Sequence, residues 1–242
     1  MLRRTSLFLL LFGCSIAMSA EPTVGFLDKS HKNADGTESK YVVFVPHGYD
    51  GSEEYPIILF LHGSGETKGD RSGKMPIEQG LAPHIKRDEK KYPAFVVIPQ
   101  SEKRTWKADS EDGKRAIAML DATIKDYKID TKRVILTGLS MGGGGTWSMA
   151  AAYPEKWCCF APICGWGDVN DAEKIKDLPC WCWHGDKDGA VKVEKSREMI
   201  EALKKAGVQP RYTELAFVNH NSWDSAYATP DLLDWMLKQK RK

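Results

Sequence analysis

The 242-residue chain has almost no net charge: 35 Lys and Arg stand against 33 Asp and Glu, a formal +2. Both excess charges are Arg3 and Arg4, the only charged residues among the first twenty, which leaves 33 of each sign beyond them. A balanced chain lacks the basic face that electrostatic binding to nucleic acid needs. The basic tail Lys238–Lys242 reads as a solvated helix end favoured by the helix dipole. Long hydrophobic runs are also missing. The wholly apolar stretch Leu7–Phe12 is too short to span a bilayer. Repeats, linkers and low-complexity tracts are absent apart from Gly142–Gly145, so the length suits one α/β domain.

The first twenty residues have the layout of an export signal: a positive start, the apolar Leu7–Phe12, then Ala17, Ser19 and Ala20. This predicts a signal peptide over 1–20 and a catalytic domain over 21–242, located in the periplasm or secreted. A lipoprotein anchored at Cys14 is the rival, against which the bulky Phe12 counts. Removal of the signal leaves Cys158, Cys159, Cys164, Cys180 and Cys182. An odd set cannot pair completely, and the C-x-C of Cys180 and Cys182 is not zinc-site spacing. Buried thiols acting as small apolar side chains are expected, with one disulfide among the five left open.

What the chain does contain is alternation. Strand-length apolar runs occur at Tyr41–Val45, Ile57–Leu61, Phe95–Ile98, Val134–Thr137, Cys158–Ile163, Cys180–His184 and Arg211–Val218. Most are continuously apolar, as parallel strands covered on both faces are. Helical stripes separate them. Ile117, Leu120, Ile124 and Tyr127 mark one face, and Val193, Ile200 and Leu203 another. Leu232, Trp235 and Met236 follow the Thr229-Pro230 start signal. The pattern predicts an α/β fold with a mostly parallel central sheet flanked by helices and sites at the carboxyl ends of its strands.

The strand Val134–Thr137 runs into Gly138-Leu139-Ser140-Met141-Gly142 and then a helix-compatible segment. G-x-S-x-G at a strand-to-helix junction is a nucleophile elbow, in which only glycine fits two residues either side of the serine. A hydroxyl needs a base, and the base needs an orienting group. Downstream of Ser140 stand only His184 and His220. His220, in a loop after the last strand, can reach the serine, whereas His184 at a strand end reads as a structural group. Asp188, in the loop after the penultimate strand, is the acid, and Asp186 is its nearest competitor, better suited to capping turn amides. Two backbone N–H groups should hold an oxyanion: Met141, after the nucleophile, and Ser64 in His62-Gly63-Ser64-Gly65. Trp106 and Trp223 are candidates for lining the substrate pocket, Trp106 equally for anchoring its loop.

These stretches resemble the α/β-hydrolase superfamily, and within it the small serine esterases grouped with phospholipase/carboxylesterase and polyhydroxybutyrate-depolymerase-like enzymes. The similarity rests on Leu59-Phe60-Leu61-His62-Gly63-Ser64-Gly65-Glu66, Arg133–Gly143 around Ser140, Tyr153-Pro154-Glu155, Pro162-Ile163-Cys164-Gly165, His184-Gly185-Asp186-Lys187-Asp188 and His220-Asn221-Ser222-Trp223. It covers roughly residues 40–240. The resemblance implies the same triad, Ser140, Asp188 and His220, with no cofactor and no metal. The Cys158-Cys159 pair and Gly144-Gly145 depart from it, at positions where such proteins often carry larger residues.

The expectation is therefore an exported serine carboxylic-ester hydrolase with no large lid domain, acting on a small-molecule or polymer ester. Nucleic acid is not expected as a partner, nor stable membrane insertion once the signal is removed. Alternatives are a prolyl-oligopeptidase-like peptidase, for whose propeller the chain has no room, a polyester or feruloyl-type esterase, and a non-catalytic binding protein, against which the complete triad argues. Ile163 to Cys180 is short and polar, which predicts no lid and a preference for acetyl to butyryl groups.

Overall fold

A computed structural model describes residues 22–33 and 35–242; the segment read as an export signal, with Cys14, lies outside the described residues. Eight strands, β1 (Gly25–Lys32), β2 (Glu38–Val45), β3 (Tyr55–Leu61), β4 (Phe95–Pro99), β5 (Ile129–Leu139), β6 (Cys159–Ile163), β7 (Trp181–Gly185) and β8 (Arg211–Leu215), form one sheet. Its order is β1-β2-β4-β3-β5-β6-β7-β8. The β1–β2 and β2–β4 pairs are antiparallel and the rest parallel.

Helices cover both faces because the central strands are apolar on both. From β3, Ile57, Leu59 and Leu61 point into one cluster, with Met119 and Leu120 of α2 (Glu111–Asp126), Trp147 and Met149 of α3 (Met141–Ala152), and Met199 and Leu203 of α4 (Glu194–Lys205). Ile58 and Phe60 point the other way, onto Leu81 and Ile85 of α1 (Leu81–Arg87), Tyr227 of α5 (Trp223–Ala228) and Met236 of α6 (Pro230–Lys238). Each such buried aliphatic side chain contributes about 1.5–3 kcal/mol. The α2 start is set by Ser110, whose hydroxyl accepts the Gly113 N–H at 3.1 Å, with Glu111 and Asp112 in the first turn.

The structure departs from the sequence expectations at the margins of the sheet. β1 carries no continuous apolar run: its residues are mostly half-buried or exposed and include Asp28, Lys29 and Lys32, as suits a guarded edge. β5 begins at Ile129 rather than Val134, because Ile129 pairs with Tyr55 across a register shift. β8 stops at Leu215, short of Val218, since Phe217 takes φ 61°, outside the strand region. Between β6 and β7 the chain forms only a 3-10 helix, Val169–Ile175, and no lid domain.

Candidate active site

Ser140 stands at the β5–α3 junction with φ 53° and ψ −116°, a strained conformation for a residue with a Cβ. The glycines around it are required by close approach. A Cβ on Gly138 would lie 2.6 Å from the Gly142 carbonyl oxygen and 2.7 Å from that of Leu61, and one on Gly142 would overlap the Leu61 carbonyl. The turn holds because the Ser140 N–H donates to the Ile163 carbonyl on β6 at 2.9 Å.

The structure brings the three side chains expected to act together into one hydrogen-bonded chain. Ser140 Oγ lies 2.8 Å from His220 Nε2, and His220 Nδ1 lies 2.6 Å from Asp188 Oδ2. The Asp188 side chain is fully buried, whereas that of His220 is 27% exposed toward the cleft. The other Asp188 oxygen accepts the N–H groups of Ala190 and Val191 at 2.8 and 2.9 Å. Burial opposes the Asp188 charge, but donation from His220, Val191 and Ala190 outweighs it and holds the carboxyl below its usual range. With Asp188 ionised, His220 Nδ1 is the donor and Nε2 is left to accept from the Ser140 hydroxyl.

Asp186 does not join this chain; its N–H donates to Leu215 and its exposed partner is Lys187. Met141 is the first residue of α3, where an N–H has no intrahelical acceptor, and Ser64 opens the 3-10 turn Ser64–Glu66. Both line the same cleft as Ser140 and His220.

That cleft has a volume of about 1210 Å³ and runs along α3 from Ser140 past Gly144, Gly145 and Ser148 to Tyr153. One wall is Arg104–Asp109 and the other includes Trp166–Asp168 and Lys174. Trp106 serves as both wall and anchor: it is 2% exposed, and its indole N–H donates to the His62 carbonyl at 3.0 Å. Trp223 is not among the residues lining the cleft; it packs edge-on against His220 at 5.4 Å. The exposed aromatic of the cleft is instead Trp166, 43% accessible, which sequence reasoning missed; its one signal was the pair of flanking glycines, Gly165 and Gly167. The unusual Gly144-Gly145 pair finds its reason here. A Cβ on Gly144 would stand 2.9 Å from the Trp166 indole, and one on Gly145 would overlap Trp106. Two adjacent helical positions thus give up side chains so that two indoles can lie against the helix.

Two further groups were not legible as site supports. Buried Asp112 accepts the Ser101 hydroxyl at 2.6 Å and the Lys103 N–H at 2.7 Å, which pins the loop carrying Arg104–Asp109. Buried His62 takes the Ser101 N–H on Nε2 at 2.9 Å and donates from Nδ1 to the Gly63 carbonyl at 2.6 Å. Burial pushes its pKa down to about 4, so the ring is neutral at pH 7.

Among the described residues one group could offer a metal three ligand atoms, Cys164, Asp188 and His220, within 4.8 Å of one another. The set suits an ion poorly. Burial pushes the Cys164 thiol up to about 12, so no thiolate is available, and the facing atoms of Asp188 and His220 already bond to each other. All five cysteines from Cys158 to Cys182 are buried and free. No helix of the described residues is long and apolar enough to cross a membrane.

The BD-FAE family model matches residues 43–156. A probable feruloyl esterase C of Aspergillus terreus is 27% identical over 69% of this chain and 61% of its own length. Feruloyl esterase D of Neurospora crassa is 25% identical over 76% of this chain and 65% of its own. A thermostable esterase of known structure superposes with a TM-score of 0.81 at 32% identity, over 89% of this chain and 63% of that one. The chain thus spans somewhat under two thirds of the length of these relatives. A feruloyl esterase module from Clostridium thermocellum, at 16% identity and a TM-score of 0.69, shares the fold. The chain has the α/β-hydrolase fold and, in its sheet order, the elbow at Ser140 and these relatives, is similar to the serine esterases of that superfamily.

Proposed function

We propose that the protein is an exported serine carboxylic-ester hydrolase. The observation that carries this reading is the continuous chain from Ser140 Oγ through His220 to Asp188 at the edge of an open cleft. Ser140 Oγ attacks the ester carbonyl while His220 Nε2 takes its proton. The carbonyl oxygen, now negative, is held by the N–H groups of Ser64 and Met141. His220 returns the proton to the departing alkoxide, and the alcohol leaves an acyl-Ser140. Water, deprotonated by the same imidazole, attacks that ester; the acid departs and Ser140 regains its proton. Asp188 fixes the tautomer and stabilises the imidazolium.

Export rests on the segment 1–20, with Arg3, Arg4 and the apolar Leu7–Phe12, and is compatible with the five buried thiols. Short acyl groups fit a cleft whose walls carry Arg104, Lys107, Asp109, Asp168 and Lys174 rather than a long apolar channel. A second reading, feruloyl-type esterase, is favoured by the exposed Trp166 indole and by the names of the relatives. The test is kcat/KM of the purified protein on p-nitrophenyl esters from acetyl to palmitoyl, beside methyl ferulate. A maximum at acetyl to butyryl supports the first reading, and a higher value on methyl ferulate the second. A rise through the dodecanoyl ester with activation at a lipid–water interface contradicts both.

A further inference from the structure

His184, on β7, is not part of the proposed chemistry, yet it touches the same carboxylate oxygen as His220. Its Nε2 lies 3.1 Å from Asp188 Oδ2 and 3.0 Å from the Val191 carbonyl oxygen. Both neighbours only accept, so Nε2 carries the proton. Nδ1 then accepts from the Ser196 hydroxyl on α4, 2.7 Å away, and Ser196 Oγ accepts from the Cys182 thiol at 3.3 Å. The donors therefore run in one sense from each end toward Asp188: Cys182 to Ser196 to His184 on one side, Ser140 to His220 on the other. Only one placement of protons satisfies every group, and Asp188 is the sole charge in it.

We infer that His184 is a positioning residue for the proposed esterase chemistry: it holds the Asp188 carboxylate from behind and divides its charge between two imidazoles. The inference rests on the triad reading above. Without His184, all the charge on Oδ2 faces His220. The carboxylate, still tied through Oδ1 to Ala190 and Val191, is also freer to rotate. The acid limb of kcat/KM then moves to higher pH and kcat falls, while KM changes little. The other ionisable groups near His184 do not replace it. Glu214, its partner across β8, is occupied by Arg197 at 2.9 Å. Cys164, which faces Asp188 from the turn after β6, is held neutral by burial, as is Cys182. Lys187 on the same loop pairs with Asp186. Burial also disfavours a charge on His184 itself, against the pull of Val191 and Asp188.

The experiment measures kcat, KM and the pH profile on p-nitrophenyl acetate for wild type, His184→Leu and His184→Gln. The glutamine amide can still donate where Nε2 does. His184→Leu should move the acid limb up by about half a pH unit or more and lower kcat roughly ten-fold. His184→Gln should restore the limb and most of kcat, although both variants lose thermal stability. Should His184→Leu fail to fold, Ser196→Ala, which frees Nδ1, should move the limb the same way by a smaller amount. A limb at the wild-type pH in the folded variant overturns the inference. Ser140→Ala, assayed alongside, keeps the two claims apart: if it is active, the triad reading has failed. If it is inactive and the limb has not moved, only the role of His184 has.

Discussion

Replacing each of the two adjacent glycines of α3 with alanine should give opposite results. In a helix interior, Gly→Ala alone gains about 1 kcal/mol from backbone propensity. At Gly144 the new methyl would stand 2.9–3.2 Å from three indole atoms of Trp166, which is 43% exposed and can swing outward. The clash is relieved at the surface, so the Gly144→Ala fold should be as stable as wild type to within about 1 kcal/mol. At Gly145 the methyl would overlap Trp106 Cβ and stand 3.0 Å from Leu61 Cδ1. Trp106 cannot retreat, being 2% exposed and tied through its indole N–H to the His62 carbonyl. Overpacking costs about 1–3 kcal/mol and a buried indole N–H left without an acceptor about 1–3 more. After the propensity gain, the net loss is about 1–5 kcal/mol, a fall in Tm of roughly 2–20 °C for a domain of this size. Differential scanning calorimetry of both variants checks this. Equal Tm losses, or a Gly145→Ala protein as stable as wild type, would show that the indoles are not held by the missing side chains. Activity separates the pair further: Gly144→Ala, by displacing Trp166, should raise KM for ring-bearing esters such as methyl ferulate and leave p-nitrophenyl acetate nearly unchanged.

Asp188→Asn should fold, yet lower kcat by about 10⁴, since an amide facing His220 Nδ1 favours the wrong tautomer; stopped assays at high enzyme concentration measure it. Buried neutral His62, with its pKa down at about 4 against 6.5 in an unfolded chain, contributes stability that is complete above about pH 6.5. Below that pH the unfolded state binds the proton first, so up to about 3 kcal/mol is lost as the pH falls to 4. Urea unfolding at stepped pH should therefore show a shallower loss in His62→Gln, and equal slopes would refute the assignment. Ellman's reagent should find no reactive thiol in the native protein and five on unfolding the chain 21–242, because burial pushes Cys164 and Cys182 up to about 12 and suppresses the thiolate. Rapid native labelling would contradict that burial.

The central strands and the Ser140, Asp188 and His220 positions were legible because each leaves a local mark: a continuous apolar run, an elbow that tolerates only glycine, a histidine in a loop after the last strand. β1 was not legible, since every second residue along it, Asp28, Ser30 and Lys32, is polar and exposed and the rest are mostly half-buried, so no continuous apolar run marks it. The sequence makes Trp223 a candidate for lining the pocket. It does lie beside the His220 ring, but the cleft turns along α3 toward Trp166, and no sequence pattern reports which way a cleft runs. His184 was read as structural, as a residue at a strand end often is. Its bond to Asp188 four residues on depends on the loop folding back so that one carboxylate oxygen meets two rings. Asp112 stands in the first turn of α2, a place that by itself marks only a helix start. Its acceptance of the Ser101 hydroxyl, eleven residues before it, is a tertiary fact.

Ser140 is the proposed nucleophile, activated by His220. The most direct measurement of that role is active-site labelling with a fluorophosphonate, followed by peptide mass mapping and by the same reaction on Ser140→Ala and His220→Ala. One phosphonyl adduct per chain is expected, on the peptide containing Ser140, with complete loss of esterase activity. No adduct should form on Ser140→Ala, and labelling of His220→Ala should be at least a hundred-fold slower. An adduct on another residue, or a folded Ser140→Ala protein that still hydrolyses p-nitrophenyl acetate at the wild-type rate, would contradict that role.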